Sequence, residues 1–114
     1  MKERDIAIAF STGQFESCFN HLSKNVSWHI AGEKQLSGID AVVQFCLDTA
    51  AYFASVETHF TIHHVLDDHG KIAVTGNAVF LKNNIKVSEV NSCDVYCFEN
   101  GLLTEITSYC IVLK

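Results

Sequence analysis

The sequence predicts an α+β domain in which N-terminal helices pack on one face of an antiparallel sheet. Three observations carry that prediction. Helical periodicity is confined to about the first half of the chain. The second half reads as four strand-like segments rich in Val, Ile, Thr, Phe and Tyr. The breaks between those segments are turn-sized, too short for the crossover that parallel neighbours need.

Ile6 and Phe10 share one face of a first helix, which Gly13 interrupts. Phe15, Cys18, Phe19 and Leu22 follow at i, i+3, i+4 and i+7, the pattern of a second, amphipathic helix. "NVSWHIAG" then alternates, with Val26, Trp28 and Ile30 on one side and Ser27, His29 and Ala31 on the other, which predicts a short strand. Ser37 with Asp40 three residues later resembles a capping box. Ile39, Val42, Val43, Cys46, Ala50 and Phe53 keep helical spacing after it, so the longest helix is expected over about residues 38 to 54. Strands are expected near 56–67, 71–82, 85–98 and 102–113, separated by "DDHG", "KNN" and "ENG". The element order is therefore α-α-β-α-β-β-β-β.

The chain has 114 residues, enough for one domain with its own core, spanning 1–114 without repeat, low-complexity tract or linker. It is 48% hydrophobic and 18% charged, which excludes a disordered segment. A net charge of −5 argues against a nucleic-acid partner, which would want a basic stripe. "MKERDIAIAF" is apolar too briefly for a signal peptide, and no run reaches membrane length, so a cytoplasmic location without membrane contact is expected. The five cysteines, Cys18, Cys46, Cys93, Cys97 and Cys110, are odd in number with apolar neighbours and read as small core residues. No metal or other cofactor is expected. His59 and His63 would stand ~13 Å apart on a strand, as would Cys93 and Cys97, too far to share one ion. His63 and His64 would point to opposite faces. There is no phosphate-cradling Gly loop and no Gly-x-Ser-x-Gly elbow.

The segment "CDVYCFENG" raises the functional question. Asp94 interrupts an otherwise apolar strand, and a buried carboxyl must pair, hydrogen-bond or take up a proton. Val90, Ser92, Asp94, Tyr96 and Phe98 share one face of it, and Asn91, Cys93, Val95 and Cys97 the other. Neither face reads as fully solvated, and the last strand, "ITSYCIVL", is apolar on both sides. The sheet face that the helices leave uncovered is therefore expected to pair with a second copy as a homodimer.

The element order, "WHIAGEKQLSGIDAVVQF" and "CDVYCFENGLLTEITSY" together resemble the nuclear transport factor 2-like superfamily, which includes SnoaL-like polyketide cyclases and ketosteroid isomerases. The resemblance spans nearly the whole chain. It implies a cone: a strongly bent sheet wrapped around the helices, with a pocket for an apolar small molecule at the open end. It also implies dimers through the outer sheet face. Gly76 fits a bend or bulge in such a sheet. Asp94 falls where the isomerases place an oxyanion-hole aspartic acid, four residues before "F-x-x-G", a protonated acid in an apolar site. His29 falls where they place a general-base aspartate. The position of their catalytic tyrosine on the first helix is Ile6, and where other members end the last strand with an aromatic and an acid, Tyr109 is followed by Cys110. The isomerase set is incomplete.

His29 and Asp94 are the candidate catalytic pair of an isomerase, cyclase or hydrolase-type enzyme acting on a carbonyl-bearing apolar ligand. A histidine titrates near neutrality and can take a proton. Asp94 would either stay protonated and polarise a carbonyl, or be ionised and orient the imidazole. Trp28, Tyr52, Phe53, Phe80, Tyr96 and Phe98 are the candidate ligand-binding residues, Tyr96 and Phe98 because they share Asp94's face. The alternative is a non-catalytic carrier or protein-interaction module of the same fold.

Overall fold

The computed structural model describes residues 2–113. Helix α1 (Glu3–Ser11) is followed by a short 3-10 helix (Glu16–His21), strands β1 (Leu22–Ile30) and β2 (Lys34–Ser37), helix α2 (Ile39–Ser55), and then strands β3 (Glu57–Asp68), β4 (Lys71–Lys82), β5 (Ile85–Glu99) and β6 (Leu102–Val112). The six strands form one open sheet in the order β2-β1-β6-β5-β4-β3.

The β3 to β6 meander is antiparallel throughout, as the short breaks require. Each hairpin closes through two residues at positive φ, His69-Gly70, Asn83-Asn84 and Asn100-Gly101. That geometry matches the twist of the flanking strands. β1 instead runs parallel to β6, so the sheet is mixed. A parallel partner needs a long connection. Here β2, α2 and the first three strands of the meander all intervene.

Three local expectations change. The predicted second helix is a 3-10 helix, and Leu22 already belongs to β1. With three residues per turn, that helix still turns Phe15 and Cys18 inward. Ser37 does not cap α2: Gly38 holds the cap position at φ 90°, with no side-chain bond, while Ser37 ends β2. β2 itself, a four-residue edge strand, falls where the sequence suggests only a loop. It pairs back on β1 through a three-residue turn, Ile30 facing Lys34.

α1 and α2 pack on the concave side. Ile6, Ala7, Ala9 and Phe10 of α1 and Val42 and Cys46 of α2 are buried there against Val26, Trp28, Ile72, Val74, Tyr96 and Ile106 of the sheet. Bulges bend the sheet around them. One lies in β3 at His63, opposite Gly76. A Cβ at Gly76 would stand 2.5 Å from the Thr61 carbonyl oxygen, so only glycine lets the two strands approach this closely. The same bulge places His64, not His63, on the outer face with His59, because one surplus residue reverses the alternation. A second bulge, at Thr104 of β6, has the same effect on Ser108.

Cys18 and Cys46 are core residues, but Cys93 and Cys97 are only partly buried, on the outer face of β5, and Cys110 is exposed. Apolar neighbours in sequence did not separate a strand's inner face from its outer one.

Candidate ligand cavity

A cavity of about 230 Å³ lies between the concave face of the sheet and the two helices. Its walls are largely aromatic: Phe10, Phe15, Trp28, Phe45, Phe53, Phe60 and Phe80 all line it. The rings support one another, with Phe10 edge-on to Trp28 at 5.1 Å, Trp28 edge-on to Phe45 at 5.2 Å, and Phe53 stacked on Phe80 at 5.7 Å between centroids. Exposed Glu33 and Cys110 line its open end.

Asp94 enters this cavity from β5 and is only 9% exposed. The last residue of α1, Ser11, donates from Oγ to Asp94 Oδ2 at 2.9 Å. Ser11 has one proton, so at 2.6 Å the Tyr96 hydroxyl is the donor to Ser11 Oγ. On the other side Trp28 Nε1 donates to Ser108 Oγ at 2.9 Å. Ser108 is the cross-strand partner of Asp94 and hydrogen-bonds its carboxyl. Two relays therefore converge on one acid: Tyr96 to Ser11 to Asp94, and Trp28 to Ser108 to Asp94.

Burial pushes the Asp94 carboxyl above its ordinary value of 3.8, against the opposing pull of the Ser108, Ser11 and Tyr96 hydroxyls. Burial, and then the Asp94 charge, pushes the Tyr96 phenol well above its ordinary value of 10.0, which keeps it a donor. Partial desolvation by its neighbours at the cavity's open end, and then the charges of Asp94 and Glu33, raises the Cys110 thiol to about 11. The serine and tyrosine protons of the set are spent on, or relayed toward, the carboxyl.

The sequence-predicted residues divide. Asp94, Trp28, Phe53, Phe80 and Tyr96 line the cavity. His29 does not: it is exposed, on the outer face of β1, because strand alternation turns it away from Trp28 and Ile30. The expected His29–Asp94 pair is not assembled within the chain. Tyr52 is 47% exposed on α2; its ring lies 5.7 Å from that of Phe80 but does not line the cavity. Phe98 shares Asp94's face yet lies beyond Tyr96, toward the hairpin, where it is core.

Sequence reasoning missed Ser11, Ser108 and Glu33. Ser11 follows Phe10 at the end of α1, and a serine there reads as an ordinary helix end. Ser108 was hidden by the Thr104 bulge: unbroken alternation from Leu103 places Ser108 outward. Glu33 lies in the β1–β2 turn, next to Gly32, and only the hairpin brings it over the cavity.

The SnoaL-like domain family matches residues 3–106, and the chain belongs to that family. No curated protein matches. Among solved structures, a nuclear transport factor 2-like protein of unknown function from Cytophaga hutchinsonii is 29% identical, with a TM-score of 0.85 over 94% of each chain. A protein from Kribbella flavida assigned as a ketosteroid isomerase is 16% identical, with a TM-score of 0.75 over 98% of this chain and 79% of that one. An LEH-like epoxide hydrolase from M. tuberculosis is 14% identical, with a TM-score of 0.67 over 90% and 74%. The last two likenesses concern the fold. The bent, open sheet over N-terminal helices is the cone of this superfamily. No helix among the described residues is long and apolar enough to cross a membrane.

Proposed function

We propose that the protein binds a small apolar molecule bearing a carbonyl group, with neutral Asp94 donating a hydrogen bond to the carbonyl oxygen. The observation that supports this reading is a lone carboxyl, only 9% exposed, in a cavity walled largely by aromatic rings. Burial among apolar groups disfavours the charged form of an acid and leaves its carboxyl as the polar anchor for an apolar ligand. The probes are α-tetralone and its parent hydrocarbon tetralin, titrated calorimetrically. One buried hydrogen bond gives the ketone roughly a tenfold advantage, about 1.4 kcal/mol. Asp94→Leu, with its fold checked by circular dichroism, removes that advantage. Equal affinity for ketone and hydrocarbon in the wild type overturns the reading without reference to any variant.

A second reading, catalysis on the bound carbonyl compound, is favoured by one observation: Glu33 lines the same cavity as Asp94. With Asp94 polarising the carbonyl, Glu33 is the acid side chain placed to take an α-proton. Deuterium exchange at the α-carbon of α-tetralone, followed by NMR, tests it. Exchange no faster than in buffer, or undiminished in Glu33→Gln, rejects it.

The outer sheet face supports pairing of two copies. Tyr109 is 53% exposed there, Ile111 66% and Leu66 64%, beside partly buried Val79 and Val95. Exposed apolar surface of that kind marks an interface. Native mass spectrometry should find a dimer that Tyr109→Glu weakens. A wild-type monomer at all micromolar concentrations rejects it.

A further inference from the structure

The size and charge of the cavity restrict its occupant further than the carbonyl does. An engineered cavity of about 150 Å³ takes one benzene ring. At about 230 Å³, this one is roughly half as large again. Ligand sites bury about 70–90% of a bound molecule's surface, and a four-ring skeleton here would leave much of its own in water. The wall is not readily widened, since Phe53 is braced by Phe15, Phe60 and Phe80, with centroids 6.2, 5.4 and 5.7 Å away.

The charge pattern is as one-sided. Two acids line the cavity, Asp94 inside and Glu33 at the open end, and among the described residues no Lys, Arg or His does. Lys34, whose ammonium lies 4.9 Å from the Phe45 ring centre, is not part of the lining. An anion entering would pass the Glu33 carboxyl at the mouth and find no cation in the lining.

We propose that the cavity selects neutral carbonyl compounds of one or two rings and rejects both four-ring ketones and anionic ligands, with Glu33 as a specificity-determining residue at its mouth. The proposal rests on the carbonyl-binding reading. It is distinct from what the fold alone suggests, since a structural relative is assigned as a ketosteroid isomerase.

The test is a binding panel on the full-length wild type: cyclohexenone, α-tetralone, a four-ring steroid enone, and tetralin carboxylate as the anionic match to α-tetralone. The expected result is that α-tetralone binds at least about tenfold tighter than both the steroid enone and the carboxylate. In Glu33→Gln, the carboxylate should gain about three- to tenfold in affinity relative to α-tetralone. Glu33 is exposed, so this variant leaves the core untouched. A steroid enone that binds as tightly as α-tetralone overturns the size limit. A carboxylate that binds as tightly, or gains nothing in Glu33→Gln, overturns the charge selection. If α-tetralone binds no better than tetralin, the carbonyl reading fails and this proposal with it, an outcome separable from the other two.

Discussion

Ser108 makes the sharpest stability prediction, because it joins an indole to a buried acid. Replacing it with alanine removes the acceptor of Trp28 Nε1, which now bonds Ser108 Oγ at 2.9 Å. Both residues are buried, Ser108 at 3% and Trp28 at 8% exposure. An orphaned buried donor costs about 1–3 kcal/mol, more than the net worth of the bond itself. Losing one methylene-sized group adds little, so Ser108→Ala should destabilise by about 2 kcal/mol. For a domain of this size that is a fall in Tm of about 8 °C. The assay is urea unfolding followed by far-UV circular dichroism on four proteins: wild type, Ser108→Ala, Trp28→Phe and the double variant. With phenylalanine at position 28 there is no donor to orphan. Ser108→Ala should then cost less, with a coupling of about 1–2 kcal/mol. An equal cost of Ser108→Ala in both backgrounds would refute the indole–serine relay.

Three further outcomes can be checked together. Asp94 has a folded-state pKa above its ordinary 3.8, so its contribution to stability is complete below that value and is lost as pH rises through the folded one; the stability of wild type relative to Asp94→Asn should fall over that window, and a constant or rising difference contradicts the burial argument. Gly76→Ala drives a Cβ to 2.5 Å from the Thr61 carbonyl oxygen and should cost about 1–3 kcal/mol or more in a thermal melt; an unchanged Tm would mean the strands separate freely there. In the native protein Cys18 and Cys46 should resist iodoacetamide, since both are buried and the Cys46 thiol is raised to about 12; Cys110, raised to about 11, should label slowly at neutral pH and faster in alkali, and rapid neutral labelling would count against the desolvation that raises its thiol.

Much of the scaffold was legible because its signals are local. The meander follows from alternation and from Asn and Gly at two-residue turns, which need no knowledge of distant partners. α2 follows from the spacing of Ile39, Val42, Cys46 and Phe53. The parallel β1–β6 contact was not legible, because nothing in either strand's composition names a partner that far along the chain. For the site, Asp94 stood out as a lone acid on an apolar strand. The placement of His29 was already implied by Trp28, since neighbours on a strand cannot both face inward. The hydroxyls that tie Asp94 down were invisible: one sits at a helix end, and the other follows a bulge that reverses the inside-outside rule.

That bulge has a consequence for comparing this chain with its relatives. Thr104 is a phase shifter: before it odd-numbered residues of β6 turn inward, after it even-numbered ones do, and its own hydroxyl is tied to the Cys97 carbonyl at 3.0 Å. Matched position by position to a relative whose last hairpin is regular, the chain would set Thr107 across from the acid. Only a gap opened at Thr104 restores the serine to its place.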